Sequence, residues 1–483
     1  MLFTEPTFLF LFLPTVVLIH CVLRPRLRNL WLLAASFLFY CWGEGRFVLL
    51  MVGSITVNYV FGLLLGYIQR PTLRKLLLGA GVASNLLVLI YFKYCTFLVA
   101  NLDAALASLQ LPPIEVGLIP LPLGISFLTF HTISYLSDVY RGTIKRESNP
   151  IDLALYVMLF PHLIAGPIVR YADIVAAMKA RTLAVDEFAY GIRRFLGGLA
   201  KKLLIANQLA ATADLILGIP SSELNAGLSW LAMACYTFQI YFDFSGYSDM
   251  AIGLAHMFGI RFHENFDHPY WATSVTDFWR RWHISLSSWF RDYVYIPLGG
   301  NRRGSARTYS NLMTIFLLCG LWHGANWTFI VWGLYQGAFL VIERVGLGRV
   351  LDRLWRPLRH AYLVLAVVVG WVVFRMDTLS GAGEILRAMF GFGSGAGIKY
   401  HVSLYLTNEV AALLAIAALL STPLLGRLGR KIEEFETTLA DRWGSFAPAP
   451  IRLARVAAYC SILVLCLSFV AQKSYNPFIY FRF

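Results

Sequence analysis

The chain is 483 residues long, 58% hydrophobic and only 14% charged, with a mean hydropathy of +0.63. Soluble domains average about 45–50% apolar and about 25% charged residues, so the composition excludes an ordinary soluble protein. The net charge of +14 suits the cytoplasmic loops of a membrane protein, and no basic stretch is interleaved as a nucleic-acid site requires, so no nucleic-acid partner is expected.

No Pro/Gly/Ser-rich linker divides the chain, which therefore reads as one integral membrane domain over residues 1–483. The segment 6–23 follows an N-terminus without the charged region and cleavage site of a signal peptide, and is expected to stay as a first spanning helix. A bilayer core takes about 20 apolar residues per helix. Further candidate spans are 30–42, 47–68, 76–100, 116–137, 153–168, 230–260, 311–342, 361–374, 410–425 and 457–471. The piece 159–170, interrupted by Pro and Gly, is expected to be re-entrant or buried in protein, because broken backbone survives at depth only where protein or water satisfies it.

Cys21, Cys41, Cys95, Cys235, Cys319, Cys460 and Cys466 all lie in apolar segments and form no CxxC pair, which argues against a disulfide framework and against a metal site. Loop charge gives orientation. Arg24, Arg26 and Arg28 after the first span, and Arg70, Arg74 and Lys75 after the third, place the N-terminus outside and the first loop inside. The same rule puts 141–146, 170–202, 280–307, 344–359 and 427–430 on the cytoplasmic face and the C-terminal tail, 473–483, outside.

The segment 311–342 is then unusual, since basic loops flank it on both sides. One crossing cannot put both inside, so the segment is expected to dip in and return, breaking near residues 320–325; a single long helix that violates the rule locally is the alternative. His323 sits at that break. An ionisable ring at membrane depth is costly and by default lines a cavity or pathway.

A second dense region spans 239–300. Gln239, Asp243 and Tyr247 recur every four residues and share one helical face, whereas Asp249 and His256 share another, with a purely structural hydrogen-bond network as the competing reading. Phe278, Trp282, Leu286 and Trp289 recur at three- and four-residue intervals, which predicts one amphipathic helix over 276–290 at the cytoplasmic interface, with His283 on it. The glycine- and arginine-rich turn 297–304 lacks the GxxxxGK[ST] pattern of a P-loop. Histidine titrates near neutrality, which suits His323 to general-base work on a bound hydroxyl or thiol. On these residues alone a proton relay in a transporter competes with that reading.

Three motifs carry a resemblance: LWHGANWTFIVWGLYQG around His323, YFDFSGYSDMAIGL, and FWRRWHISLSSWFRDYVYIPLGGNR around His283. Together they resemble the membrane-bound O-acyltransferase (MBOAT) superfamily, and within it the alginate O-acetyltransferase (AlgI) type. The resemblance implies an all-α polytopic membrane fold, a helical ring around a thin centre with funnels from both faces, plus re-entrant and amphipathic helices. It implies that His323 is the catalytic histidine and His283 the second one. Asp243, Tyr247, Asp249, Trp322 and Asn326 would form the supporting polar network. The related D-alanine transfer system is associated with a C-terminal FxYxxF motif, and this chain ends Phe478-Ile479-Tyr480-Phe481-Arg482-Phe483, which makes Tyr480 a candidate acyl relay beside its plainer reading as an aromatic anchor.

The implied chemistry is transfer of an acetyl group from acetyl-CoA, without a metal, across a bacterial inner membrane to an extracytoplasmic polysaccharide such as alginate. Arg280, Arg281, Arg302 and Arg303 are the candidate donor-binding residues. A periplasmic SGNH-type O-acetyltransferase, the polysaccharide and membrane lipid are the implied partners. A transporter, or a scaffold subunit of an exopolysaccharide complex without chemistry of its own, are the alternatives.

Overall fold

The structure is a computed structural model that describes residues 1–117, 119–444 and 446–472. Tyr480 lies outside the described residues. Among the described residues every regular element is helical. Five helical runs among the described residues are long and apolar enough to cross a membrane: Pro25–Tyr67, Pro71–Ser108, Trp327–Arg353, Arg356–Arg375 and Ala449–Ala471. A sixth arises if Asn408–Leu420 and Leu424–Trp443, joined at a 63° bend, count as one span. Burial grades these runs from an interior wall to a lipid-facing rim, since the most apolar stretch of Arg356–Arg375 is 50% buried and that of Ala449–Ala471 only 6%.

The centre of the molecule is the helix Ala226–Met257, 32 residues long and buried along nearly its whole length. It packs on Val185–Ala200, which continues through a π-turn, Lys201–Ala206, into Asn207–Leu217. The two backbones touch where Gly253 meets Gly191 and Phe195, and a Cβ at Gly253 would overlap their main-chain atoms. This contact determines where the carboxylates of the central helix go. Asp243 is ion-paired to Lys202 at 2.7 Å, both side chains nearly inaccessible, and Asp249 is paired to Arg194 at 2.7 Å and Lys201 at 2.6 Å.

The basic region 170–202 holds the helices Tyr171–Lys179 and Val185–Ala200, and Lys202 beyond them is buried. Two expectations are corrected here. The span expected over 116–137 is helical only from Ile125 to Arg141, since Pro120, Pro122 and the left-handed Gly124 (φ +77) hold the preceding chain out of a helix. The single helix expected over 276–290 is two, Val275–Arg281 and Ile284–Phe290, broken at His283. The interruption expected over 159–170 is present: Pro150–Met158 ends at Leu159, one short turn, Phe160–Leu163, follows, and the chain to Val169 runs buried in protein.

Candidate active site

Ser305–His323 and Trp327–Ile342 form an antiparallel helical hairpin. The break follows His323. Gly324 is extended, and the Asn326 side chain accepts from Thr328 N–H at 3.1 Å to cap the returning helix. Asn326 also donates to the Asp377 carbonyl at 2.8 Å, tying the tip to the end of Arg356–Arg375. The two helices lie backbone to backbone: a Cβ at Gly320 would enter the Phe329 carbonyl oxygen, and one at Gly333 the Phe316 carbonyl oxygen.

At the tip the His323 ring is 7% exposed and meets Trp322, Trp332 and Phe374 edge-on, with ring centroids at 4.8, 5.1 and 5.2 Å. The last carbonyls of its helix have no partner within the helix. A neighbouring helix supplies them. In the π-turn Ile90–Tyr94, Lys93 Nζ lies 2.5 Å from the Trp322 carbonyl, 3.3 Å from that of His323 and 3.3 Å from Ser126 Oγ, and Tyr94 donates to the Leu321 carbonyl at 2.7 Å. Sequence reasoning passed over both, although a cation in a long apolar run, as Lys93 is, was a signal that could have found it.

His283 is fully buried, with φ +45 and ψ +55, a left-handed conformation that few non-glycine residues adopt. One side chain holds this turn in place. Asn265 Oδ1 accepts from Ser285 N–H at 3.2 Å, from Ser285 Oγ at 2.9 Å and from His283 Nδ1 at 3.1 Å, while the Asn265 carbonyl accepts from Ile284 N–H at 3.0 Å. The Ser285 amide can only donate, so the amide oxygen of Asn265 faces the turn and His283 Nδ1 carries the proton. In the neutral ring Nε2 then bears the lone pair, and it has no partner among the described residues. The Trp322 ring stands between the histidines, 6.0 Å from His283 and 4.8 Å from His323.

Cavities reach this centre from two sides. Beside the hairpin tip, one of 220 Å³ is lined by His323, Trp322, Lys93, Glu44, Ser126 and the Leu121–Phe127 turn, and another of 270 Å³ by Lys93, Asn326, Thr328, Tyr236, Arg375 and Asp377. Against the shaft of the hairpin lies an apolar cavity of 280 Å³, walled by Trp279, Leu286, Phe290, Phe316 and Cys319, with Arg280, Arg291 and Arg344 among its lining residues. Trp332 stands between that cavity and His323, with its ring 5.9 Å from Trp279 and 5.1 Å from His323.

Residues 141–375 match the family model of the membrane-bound O-acyltransferase family (MBOAT). The chain is 43% identical to a protein named probable alginate O-acetylase AlgI of Pseudomonas putida, and 41% identical to a protein of the same name of Pseudomonas aeruginosa, each over 100% of both chains. It belongs to the membrane-bound O-acyltransferase family. A peptidoglycan O-acetyltransferase of Helicobacter pylori is 37% identical over 81% of this chain and 80% of its own.

As a membrane-bound acyltransferase of this family, the chain is a multi-pass membrane enzyme, and the motifs around His283 and His323 meet where the hairpin tip faces the broken helix 275–290. Other residues singled out from sequence are dispersed. Tyr247 stacks on Phe3 with ring centroids at 4.7 Å, Asp243 is engaged by Lys202, and Asp249 serves the packing of Val185–Ala200 on the central helix rather than either histidine. Of the four arginines expected at the donor site, Arg280 alone lines the apolar cavity. Arg281 is turned to Asp277 at 3.0 Å and Asp267 at 3.4 Å, and Arg302 and Arg303 are exposed on the turn before Ser305. Arg291 and Arg344 line that cavity with it. Among the described residues no group of three or more His, Cys, Asp or Glu side chains is placed to hold a metal ion.

Proposed function

We propose that the enzyme carries an acetyl group from acetyl-CoA on the cytoplasmic side of a bacterial inner membrane to a hydroxyl acceptor on the other side, for O-acetylation of an exported polysaccharide of the alginate class. The observation that carries this reading is the position of His323 between two kinds of cavity. An apolar, arginine-lined one suits a short acyl chain on a phosphate-bearing carrier. The polar ones at the hairpin tip suit a hydroxyl. The full-length similarity to proteins named probable alginate O-acetylase supports the choice of polymer.

In this reading the carrier phosphates lie against Arg280, Arg291 and Arg344, and the thioester passes the Trp279–Trp332 layer to the ring. His323 takes the proton of the acceptor hydroxyl, the acceptor oxygen bonds to the carbonyl carbon, the carbon–sulfur bond breaks, and the proton returns to the leaving thiolate to give free CoA. His283, fixed as the Nδ1–H tautomer, offers its Nε2 lone pair beside this centre as a relay. We place Tyr480 as the first acceptor, from which the acetyl group passes to a periplasmic SGNH-type transferase and then to the polymer.

Proteoliposomes containing the purified enzyme and radiolabelled acetyl-CoA test the reading directly. Wild type consumes the donor and releases CoA. His323→Ala loses about 10²–10⁴-fold, the usual worth of a general base, while remaining monodisperse in detergent. Retention of more than about a tenth of wild-type turnover would exclude a base of that strength. Absence of acetyl-tyrosine from the C-terminal peptide under trapping conditions, together with a fully active Tyr480→Phe, would remove Tyr480 from the route.

A further inference from the structure

A lysine in a span-length helix is expensive and needs a reason. Lys93 lies in the continuous run Pro71–Ser108, yet its described polar partners are the carbonyls of Trp322 and His323 and the Ser126 hydroxyl, none of them a carboxylate. It also sits 5.9 Å from the centroid of the Trp322 ring. The π-turn Ile90–Tyr94 turns two successive side chains toward the hairpin, so that Lys93 and Tyr94 together engage the carbonyls of Leu321, Trp322 and His323. These carbonyls are the negative end of the helix Ser305–His323, where a cation is favoured. The ammonium also faces both polar cavities, and among the described residues it is the only lysine or arginine lining the one that reaches His323.

We infer that Lys93 is a positioning residue for acyl transfer. It clamps the turn that carries the base and keeps a positive charge at the wall of the chamber where negative charge develops on the acyl oxygen. A role confined to stability would be served by any residue filling the same volume. The positioning role requires a charged donor, and the conservative replacement separates the two.

This inference rests on His323 as the base, and the test carries a control for that. Cells lacking their own copy of the enzyme are complemented with wild type, His323→Ala, Lys93→Met or Lys93→Arg, and the acetyl content of the exported polysaccharide is measured at matched membrane levels. The readout is independent of the identity of the donor. Lys93→Met is expected to lower acetylation about 10²-fold, the cost of a small misplacement at a reacting centre, and Lys93→Arg to recover at least about a tenth of wild type by restoring charge and donors. If Lys93→Met fails to accumulate, Lys93→Gln, an uncharged donor, replaces it in the same comparison. Lys93→Met within threefold of wild type, or Lys93→Arg as inactive as Lys93→Met, overturns the assignment while leaving His323 in place. An active His323→Ala overturns both.

Discussion

Asn265 holds His283: its amide oxygen lies 3.1 Å from the imidazole Nδ1 and also accepts from the Ser285 amide and hydroxyl, so one side chain sets both the ring tautomer and the left-handed turn beneath it. Removing that oxygen releases three donors at once. Asn265→Ala is expected to lower acetyl transfer about 10²-fold, by analogy with a misplaced catalytic group. Steady-state turnover of acetyl-CoA in proteoliposomes checks this, and a variant within threefold of wild type would show that His283 is held some other way.

The apolar cavity makes a prediction about donor affinity. A hydrogen bond to a charged group contributes about 1.5–3 kcal/mol, so Arg280→Ala and Arg344→Ala should each raise KM for acetyl-CoA at least about tenfold, with a smaller change in kcat. Arg302→Ala and Arg303→Ala, on the exposed turn, should leave KM near wild type. The reverse ranking would move the donor site to that turn.

The hairpin is the third target. Alanine at Gly320 or Gly333 would drive a methyl group into a backbone carbonyl of the facing helix, whereas at Gly337 it meets Phe316 Cβ at 3.0 Å and Met313 Sδ at 3.2 Å, which are side-chain atoms. Overpacking of this kind costs about 1–3 kcal/mol. Thermal unfolding in detergent should therefore show a lower Tm for Gly320→Ala and Gly333→Ala than for Gly337→Ala, and equal midpoints would count against the close contact.

Lys202 and Asp243 provide a stability test away from the chemistry. Breaking a buried ion pair from one side strands a charge and costs about 3–5 kcal/mol. Lys202→Met should accordingly unfold well below wild type, and Lys202→Met with Asp243→Leu should be less destabilised than the sum of the two single changes. Additive losses in this cycle would show that the 2.7 Å pair does not couple the two helices.

The local features were legible in the sequence. Flanking basic loops located the break at His323 and the hairpin around it, and the motifs around His283 and His323 carried the family. What escaped depends on partners distant in the chain. The helix from Val185 to Leu217 carries Arg194, Lys201 and Lys202, which count only as basic residues of the cytoplasmic face until Asp243 and Asp249 are known to face them. Lys93 is marked only by being a cation in an apolar run, and its role is not legible because its partners lie 229 and 230 residues away. Asn265 sits in an aperiodic loop, and only the closing of that loop on His283 gives its amide a role.

The left-handed backbone at His283 also bears on how the residue is best probed. An ordinary L-residue in that conformation carries about 1–2 kcal/mol of steric cost, which asparagine tolerates better than alanine because its side chain bonds locally. Alanine at 283 thus deletes the imidazole and perturbs the turn in one stroke, and its phenotype mixes the two. Asparagine separates them, since it keeps the turn and removes the ring to which the proposed mechanism gives the relay.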